Sequence, residues 1–326
     1  GAALVCGYTD EHEALEADLA ALKGTEAALL FPTGFMANLA ALGALGGADA
    51  TIFSDELNHA SIVDGCRLSR SKVEVYRHAD AGHLDALLAG SRARRKVVVT
   101  DTVFSMEGDL APLREIAALK ARHDFLLVTD EAHATLVHGA RGGGLSEALG
   151  VSEAVDLHVG TLSKAVGALG GFVASTARLR ALVLNTARPY VFTTALPAPV
   201  VAAARAALGV ASRDRSIRER LWARAAELGR ALGRTLEAPI APVPLGDADV
   251  VIVGGGPAGS ASALWCVHHG LRVVVLEREV FPRRRPGETL PPGVEPIFAQ
   301  LGVAGAVAAG CHRHVPKDRR FRVVRR

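Results

Sequence analysis

The sequence has few cysteines and no apolar run long enough to cross a bilayer. Its four cysteines, Cys6, Cys66, Cys266 and Cys311, are scattered without a C-x-x-C pair. This pattern argues against a disulfide framework and a structural zinc site, and it favours a reducing, cytoplasmic compartment. No signal peptide is visible, although the chain starts at Gly1 rather than Met, so an organelle-targeting segment could precede it.

The sequence also lacks a strong excess of either charge. It has 37 basic and 34 acidic residues and a formal net charge of +3, which favours neither a nucleic-acid partner nor a membrane surface. Apolar residues make up 49% of the 326 residues, enough for a sizeable core and for two domains of ordinary size. We therefore expect a folded protein without a nucleic-acid or membrane partner, and the residue pattern predicts no metal site.

A phosphate-binding P-loop is absent as well. The stretch VTDEAHATL, residues 128–136, contains the Asp-Glu-Ala-His letters of a helicase ATPase. A nucleic-acid motor also needs G-x-x-x-x-G-K-[ST], whose backbone N–H groups and Lys hold the nucleotide phosphates. The chain contains no Gly-Lys pair, so these four letters must serve a different chemistry.

What the first three quarters of the chain do contain is an alternation of apolar runs and helical stretches. Near-continuous apolar strands between helices predict an α/β fold with a mostly parallel sheet covered on both faces. A longer stretch, 197–236, has a helical pattern rich in Ala and Arg. The runs predicted as strands are AALLF (27–31), ATIFSD (50–55), VEVYRH (73–78), KVVVTD (96–101), FLLVTDE (125–131), DLHVGT (156–161) and GGFVAS (170–175).

Polar side chains follow several of these predicted strands. In an open α/β sheet, ligands bind outside the carboxyl ends of the strands, so side chains at those ends meet at one edge. The residues expected there are Asp101, Asp130, His133, Thr161, Ser163 and Lys164, with His59 a short loop beyond the strand 50–55.

A lysine, carboxylates and imidazoles at one sheet edge suit pyridoxal phosphate. The cofactor's aldehyde needs a Lys to form a Schiff base, and its pyridine nitrogen needs a carboxylate to stay protonated. A ring such as that of His59 can stack on the cofactor plane. The phosphate needs backbone N–H groups at the start of a helix, and Thr33–Phe35 precedes such a helix.

Seven motifs in order carry a resemblance to a known family. Residues 1–245 resemble the α-oxoamine synthases of the fold-type-I pyridoxal-phosphate enzymes, within the aminotransferase class I/II group, and are most similar to the 8-amino-7-oxononanoate synthase branch. The motifs are LVCGYTDEHEALE, FPTGFMANLAAL, DELNHASIVDG, VVVTDTVFSMEGDLAPL, TDEAH, GTLSKAVGALGG and FTTALP.

The resemblance implies catalytic roles for four residues. Lys164 would form the Schiff base and later move the substrate proton, and Asp130 would pair with the pyridine nitrogen. His133 would bond the phenolic oxygen, and His59 would stack on the ring. Glu131 is then expected to be a spacer.

The resemblance also implies residues that hold the cofactor and a subunit arrangement. Family members build their sites across a dimer interface, so a homodimer is expected. Other histidines are interpreted as surface or packing residues. The further cofactor-binding residues implied are Gly34, Phe35 and Thr161 near the phosphate, Ser105 and Asp101 around the ring, and Thr193 and Thr194 towards the phosphate of the neighbouring subunit.

The implied reaction joins an amino acid to an acyl-CoA with loss of CO₂, as in biotin biosynthesis. L-Alanine and pimeloyl-CoA are the substrates that the resemblance implies. Family members carry an N-terminal segment before residues equivalent to Gly1 and a C-terminal domain after the long helix. The chain is therefore expected to lack that segment and most of that domain, which makes cofactor binding a firmer expectation than turnover.

The last quarter of the chain has a different character. Residues 237–248 contain three prolines, and DVVIVGGGPAGSASALWCVHHGLRVVVLERE then predicts a strand, a glycine turn, a helix and a second strand. We place a domain boundary near residue 245, which gives domains 1–245 and 246–326. Gly254, Gly256 and Gly259 form G-x-G-x-x-G, and Glu277 ends the second strand, as in a dinucleotide-binding unit.

Residues 248–326 resemble the N-terminal FAD-binding part of halogenase and geranylgeranyl-reductase-type flavoproteins, with FPRRRPGETLPP matching their pattern. The resemblance implies a partial Rossmann-like unit and FAD as a second cofactor. Two alternatives to the acyltransferase therefore stay open: an FAD-dependent oxidoreductase fragment, or an inactive fusion of two partial enzymes.

Overall fold

A computed structural model of the chain describes residues 1–243, 248–253, 257–276 and 321–324. The chain divides into two compact units, Gly1–Pro242 and Val243–Arg326.

A seven-stranded sheet forms the centre of the first unit. Its order is β1-β7-β6-β5-β4-β2-β3, and all pairs are parallel except those of β7 with its two neighbours. The prediction of a mostly parallel sheet is confirmed, and each run predicted as a strand contains one. The strands are β1 (Ala27–Phe31), β2 (Ala50–Asp55), β3 (Lys72–Tyr76), β4 (Arg95–Asp101), β5 (Leu126–Asp130), β6 (Leu157–Thr161) and β7 (Gly171–Ser175).

Helices connect these strands. α1 begins after a Thr9 cap and ends at Gly24, whose φ of +70° suits a residue without a Cβ. The helices of this unit are α1 (Asp10–Lys23), α2 (Gly34–Leu45), α3 (Ala60–Leu68), α4 (Ala81–Gly90), α5 (Leu113–Leu119), α6 (Leu145–Leu149), α7 (Ala177–Thr186), α8 (Arg188–Val191), α9 (Ala198–Arg213) and α10 (Ser216–Ala231), with a π-helical turn at Ala3–Gly7 and a 3-10 turn at Ser152–Ala154.

The long helical stretch predicted for 197–236 is two helices. The chain breaks between α9 and α10 because the Asp214 carboxylate accepts hydrogen bonds from the backbone N–H and hydroxyl of Ser216, at 3.0 and 2.6 Å. An Asp side chain that bonds the backbone two residues on favours a turn over a continuous helix.

The core lies on both faces of the sheet. Successive residues of one strand pack in different layers: Leu29 and Phe31 contact α2, whereas Ala28 and Leu30 belong to the layer with α1 and α9. Burial on both faces explains why the strands read as continuous apolar runs.

The second unit contains a smaller parallel sheet. β8 (Val250–Val253), α11 (Pro257–His268) and β9 (Val273–Leu276) form a strand–helix–strand unit, and β10 (Phe321–Val324) pairs with β9. Ala263 of α11 packs on Val273 and Val275. Gly259 lies in α11, whereas the predicted FAD residues Gly254, Gly256 and Glu277 lie outside the described residues.

Candidate active site

Two buried carboxylates lie side by side at the carboxyl edge of the first sheet. Asp101 ends β4 and Asp130 ends β5, and these residues are direct partners in the parallel register. They are 5% and 6% exposed. The strands therefore place two acids where apolar burial penalises each negative charge.

Asp130 is held by two neutral donors. Asn38 of α2 donates from Nδ2 to Asp130 Oδ2 at 2.6 Å, and the backbone N–H of Ala132 donates to Oδ1 at 2.8 Å. The second Asn38 proton bonds Ser61 Oγ at 2.8 Å. The Asn38 Oδ1 atom is buried without a hydrogen-bond partner among the described residues. The carboxylate is thus oriented by neutral donors, and no ion pair to it occurs within the part of the chain that the structure describes.

Asp101, the second of these two acids, is hydrogen-bonded to His59. The backbone N–H of His59 donates to Asp101 Oδ2 at 2.7 Å, and Asn58 Oδ1 accepts from the Asp101 N–H at 2.8 Å. Burial, and then the nearby charge of Asp130, raise the pKa of Asp101 well above its usual range. Asp101 therefore favours its protonated form more than an ordinary aspartate does.

His133 and Lys164 face the same region. Burial lowers the pKa of the His133 imidazole to about 4, with smaller contributions from the nearby charges of Lys164 and His59. His133 is therefore neutral at pH 7. Lys164 is exposed, and no residue that the structure describes gives its Nζ a hydrogen bond or an ion pair. His59 caps α3 and is exposed, with Nδ1 2.7 Å from Ser61 Oγ.

The start of α2 offers free backbone donors. Thr33 caps the helix by accepting from the Met36 N–H at 3.1 Å, which leaves the N–H groups of Gly34 and Phe35 without partners among the described residues. A Cβ on Gly34 would lie 3.1 Å from the Cβ of Thr161, the last residue of β6. The helix start and the end of β6 therefore lie side by side, and free N–H groups at a helix start are the kind of donor that anions bind.

Three further residues were predicted for the site: Ser105, Thr193 and Thr194. Ser105 is exposed on the turn between Val103 and Leu110. Thr193 and Thr194 line a small cavity with Pro32. Neither threonine has a hydrogen bond to Lys164 in the described part of the chain.

Glu131 is not a spacer, and this expectation was wrong. Its side chain is completely buried and forms an ion pair with Lys23, the last residue of α1, at 2.5 Å. Opposite charges lower the pKa of Glu131 although burial, the largest influence, acts to raise it. A Lys at the end of an amphipathic helix gave no sequence signal that it would be buried.

His78 was interpreted as a surface or packing residue, and the structure gives it a more specific place. Nδ1 lies 2.9 Å from Asp55 Oδ1, and Nε2 lies 2.8 Å from Asp109 Oδ2. Burial acts to lower the pKa of His78, but the hydrogen bonds and charges of the two carboxylates outweigh it and raise the pKa. His78 thereby joins the end of β2 to the turn that carries Ser105.

No group of metal-ligating side chains occurs within residues 1–243, 248–253, 257–276 and 321–324. In the same ranges, no helix is both long and apolar enough to cross a membrane.

Comparisons with known proteins give a consistent result. A family model for class I and II aminotransferases matches residues 1–286. An 8-amino-7-oxononanoate synthase of Anaeromyxobacter dehalogenans is 55% identical over 249 residues, which are 74% of this chain and 63% of that protein. The chain thus spans less than two thirds of this relative's length.

Solved structures agree. Serine palmitoyltransferase from S. paucimobilis with a bound PLP–myriocin aldimine has a TM-score of 0.72 at 31% identity, covering 95% of this chain and 79% of that one. An 8-amino-7-oxononanoate synthase from Francisella tularensis has a TM-score of 0.63 at 31% identity, covering 72% and 69%.

Proposed function

The chain belongs to the class I and II aminotransferase family, and we propose that it is a pyridoxal-phosphate-dependent acyltransferase of the 8-amino-7-oxononanoate synthase type. The proposed reaction condenses L-alanine with pimeloyl-CoA and releases CO₂. One observation carries the proposal: an unpaired lysine amine, a neutral imidazole and a buried carboxylate meet at one edge of the sheet, beside a helix start with free N–H groups.

The residues present fit pyridoxal phosphate. The free N–H groups of Gly34 and Phe35 suit a phosphate, and the oriented carboxylate of Asp130 suits a protonated ring nitrogen. The unpaired charge of Asp130 also fits, because a buried anion needs a positive partner. When bound, the cofactor supplies an aldehyde for an amine and a pyridinium ring that takes up an electron pair from the substrate's α-carbon.

Each side chain then has one task. Lys164 Nζ supplies the amine for the aldehyde and carries the proton to and from the substrate's α-carbon, because no other group competes for it in the described structure. Asp130 holds the proton at the pyridine nitrogen. The neutral ring of His133 donates one hydrogen bond to the phenolic oxygen. His59 covers one face of the ring and keeps water from it.

Asp101 acts through its neighbours. It fixes the backbone of His59 by accepting that residue's N–H. Ser105 lies on the neighbouring turn and is assigned a cofactor hydrogen bond. Thr161 shapes the phosphate site beside Gly34.

A homodimer completes this proposal. Thr193 and Thr194 form no hydrogen bond with Lys164 among the described residues, and we assign them to the phosphate of a second copy. Size measurement by light scattering, with and without pyridoxal phosphate, tests this assignment.

The proposal is tested by an absorbance spectrum of the purified chain after incubation with pyridoxal phosphate and dialysis. A band on the order of 410–430 nm is expected for a lysine-bound cofactor, and the Lys164→Ala variant should lose it. Alanine-dependent CO₂ release from pimeloyl-CoA then tests the substrates. A folded wild-type chain without the band would overturn the proposal.

FAD binding by residues 246–326 is a second proposal. The parallel pairing of β8 and β9 around α11 supports it, although the aminotransferase match continues to residue 286, beyond the boundary proposed at 245. Flavin absorbance retained after gel filtration with FAD would support this proposal, and its absence would leave residues 246–326 without a cofactor role.

A further inference from the structure

Glu131 stands between Asp130 and His133, and both of its carboxylate oxygens are engaged. Oε2 accepts from Lys23 Nζ at 2.5 Å, and Oε1 accepts from the Ser146 backbone N–H at 2.9 Å. The Lys23 and Glu131 side chains are both 0% exposed. Buried charges without water need such directional partners, so this pair has one geometry.

Lys23 connects α1 to three points of a single loop. Besides Glu131, its ammonium donates to Thr135 Oγ1 at 2.9 Å and to the Gly143 carbonyl at 2.6 Å. All three ammonium protons therefore have acceptors, and all three acceptors lie in the loop that follows β5. The end of α1 and this loop cannot shift independently without breaking these bonds.

His133 lies in this loop, and Asp130 ends the strand directly before it. The Glu131 backbone N–H donates to the Val159 carbonyl of β6 at 2.8 Å. The Glu131 carbonyl accepts from the N–H groups of Ala134 and Thr135, at 3.0 and 2.8 Å. These bonds close the turn that contains His133, directly after Asp130. The position of Glu131 therefore sets the direction of the turn.

The loop backbone is shaped around the carboxylate. Gly144 has a φ of +120°, and a Cβ there would lie 2.0 Å from Glu131 Oε2. Only a residue without a side chain leaves room for the ion pair at this point.

An ion pair is not needed to fill such a space. Apolar residues of similar volume often replace a buried ion pair with equal or greater stability. What apolar side chains cannot reproduce is a set of directional bonds to one loop, and this difference separates a positioning role from a purely stabilising one.

We propose that Lys23 and Glu131 are positioning residues for the cofactor site, fixing Asp130 and His133 through the loop 131–144. The predicted effect on cofactor binding rests on the proposed pyridoxal-phosphate function. The positioning of the loop by the ion pair does not. Neither residue touches the reacting atoms.

Three variants of the full chain test this proposal. Glu131→Gln keeps the shape and removes the charge, and the double variant Lys23→Met/Glu131→Met replaces the whole pair with apolar side chains. Leu84→Ala is the control, because Leu84 is fully buried in a separate core cluster that contains none of the site residues. Thermal stability, the Kd for pyridoxal phosphate, and the His133 pKa by NMR are measured for each.

A positioning role predicts that cofactor affinity and stability separate. Glu131→Gln should raise the Kd about tenfold or more, as when groups that orient metal ligands are removed. The double variant should keep a raised Kd even where its melting temperature returns to the wild-type value. Leu84→Ala should melt earlier with an unchanged Kd. A double variant with wild-type stability and wild-type Kd would overturn the proposal.

The His133 pKa gives a readout that needs no cofactor. In the wild-type protein burial holds this pKa at about 4. Loosening of the loop hydrates the ring and should raise it towards about 6.5, whereas loss of a negative charge alone would lower it. A raised value in Glu131→Gln supports positioning, and an unchanged or lower value in the folded variant overturns it. If the His133 pKa is raised in Glu131→Gln but the wild-type protein does not bind pyridoxal phosphate, the positioning proposal is supported and the proposed function is refuted.

Discussion

Two buried charge clusters meet in the sequence at the adjacent residues Asp130 and Glu131. They differ in whether a positive charge neutralises the carboxylates. In the first, Lys23 neutralises Glu131 at 2.5 Å. In the second, Asp101 and Asp130 lie side by side at the sheet edge, with no lysine or arginine within ion-pair distance among the described residues. We name them the neutralised cluster and the acidic cluster.

The difference teaches which cluster is complete. The neutralised cluster satisfies its own charges and serves the protein's geometry. The acidic cluster is costly on its own, and desolvated like charges with shifted pKa values are typical of sites that receive a ligand. Adjacent residues, Asp130 and Glu131, thus belong to two kinds of environment, and only the three-dimensional partners distinguish them.

The largest expected effect comes from breaking the neutralised cluster. Glu131→Ala leaves the Lys23 ammonium buried without its counter-ion, which should lower the free energy of unfolding by about 3–5 kcal/mol. Urea denaturation measures the change. The control is Glu74→Ala, which removes an ion pair of the same 2.5 Å length with Lys72 on the surface and should cost at most about 1 kcal/mol. Equal losses in the two variants would contradict the distinction.

A smaller loss is expected from crowding the same cluster. Gly144→Ala adds a Cβ that would lie 2.0 Å from Glu131 Oε2 at a φ of +120°, so unfolding should become easier by about 2 kcal/mol. Gly43→Ala is the matched control, since a Cβ at this position in α2 meets nothing within 4 Å. That change should raise stability by about 0.5–1 kcal/mol. A neutral Gly144→Ala would show that the ion pair can move aside.

The acidic cluster should respond in the opposite direction. Folding raises the Asp101 pKa, so the wild-type protein loses stability as the pH rises from about 4, the ordinary aspartate value, through the raised value. Asn at this position does not titrate. Asp101→Asn should therefore stabilise the cofactor-free chain at pH 7, with the gain fading towards pH 4. Calorimetry from pH 4 to pH 8 measures it, and a gain that grows on acidification would contradict the assignment.

The smallest expected effect concerns His78, which is intermediate between the two clusters because its charge neutralises carboxylates only when the ring is protonated. His78 lies between Asp55 and Asp109, so its neutralising charge can be titrated. Because folding raises the His78 pKa, its contribution is present below about pH 6.5 and is lost as the pH rises through the raised value. His78→Gln should lower the melting temperature by about 2–4 °C at pH 6 and by less at pH 9. A difference that is constant with pH would assign His78 a packing role only.

Much of the fold could be predicted from the sequence. The seven strands were found because a strand buried on both faces reads as an uninterrupted apolar run. The break at Asp214 was missed although its signal was present, since an Asp two residues before a Ser is a frequent turn.

The candidate site was predictable only in part. The strand ends placed Asp101 and Asp130 correctly at one edge, because parallel strands run in the same direction and their carboxyl ends lie at the same side of the sheet. The pairing of Glu131 with Lys23 was not predictable, since a loop has no side-chain period and the two residues are 108 positions apart. His78 was missed for a similar reason: its partners, Asp55 and Asp109, come from two other segments.

The Lys23 contacts also have a consequence for the order of folding. They join one residue to acceptors that lie 108, 112 and 120 positions later in the chain. Until those acceptors leave the ribosome, the ammonium must stay hydrated and the end of α1 cannot settle on its final neighbours. Long-range contacts of this kind form slowly, because the intervening chain must first be ordered. Dehydration of this lysine is therefore expected only after residue 143 has been made, when the loop that follows β5 closes on the end of α1.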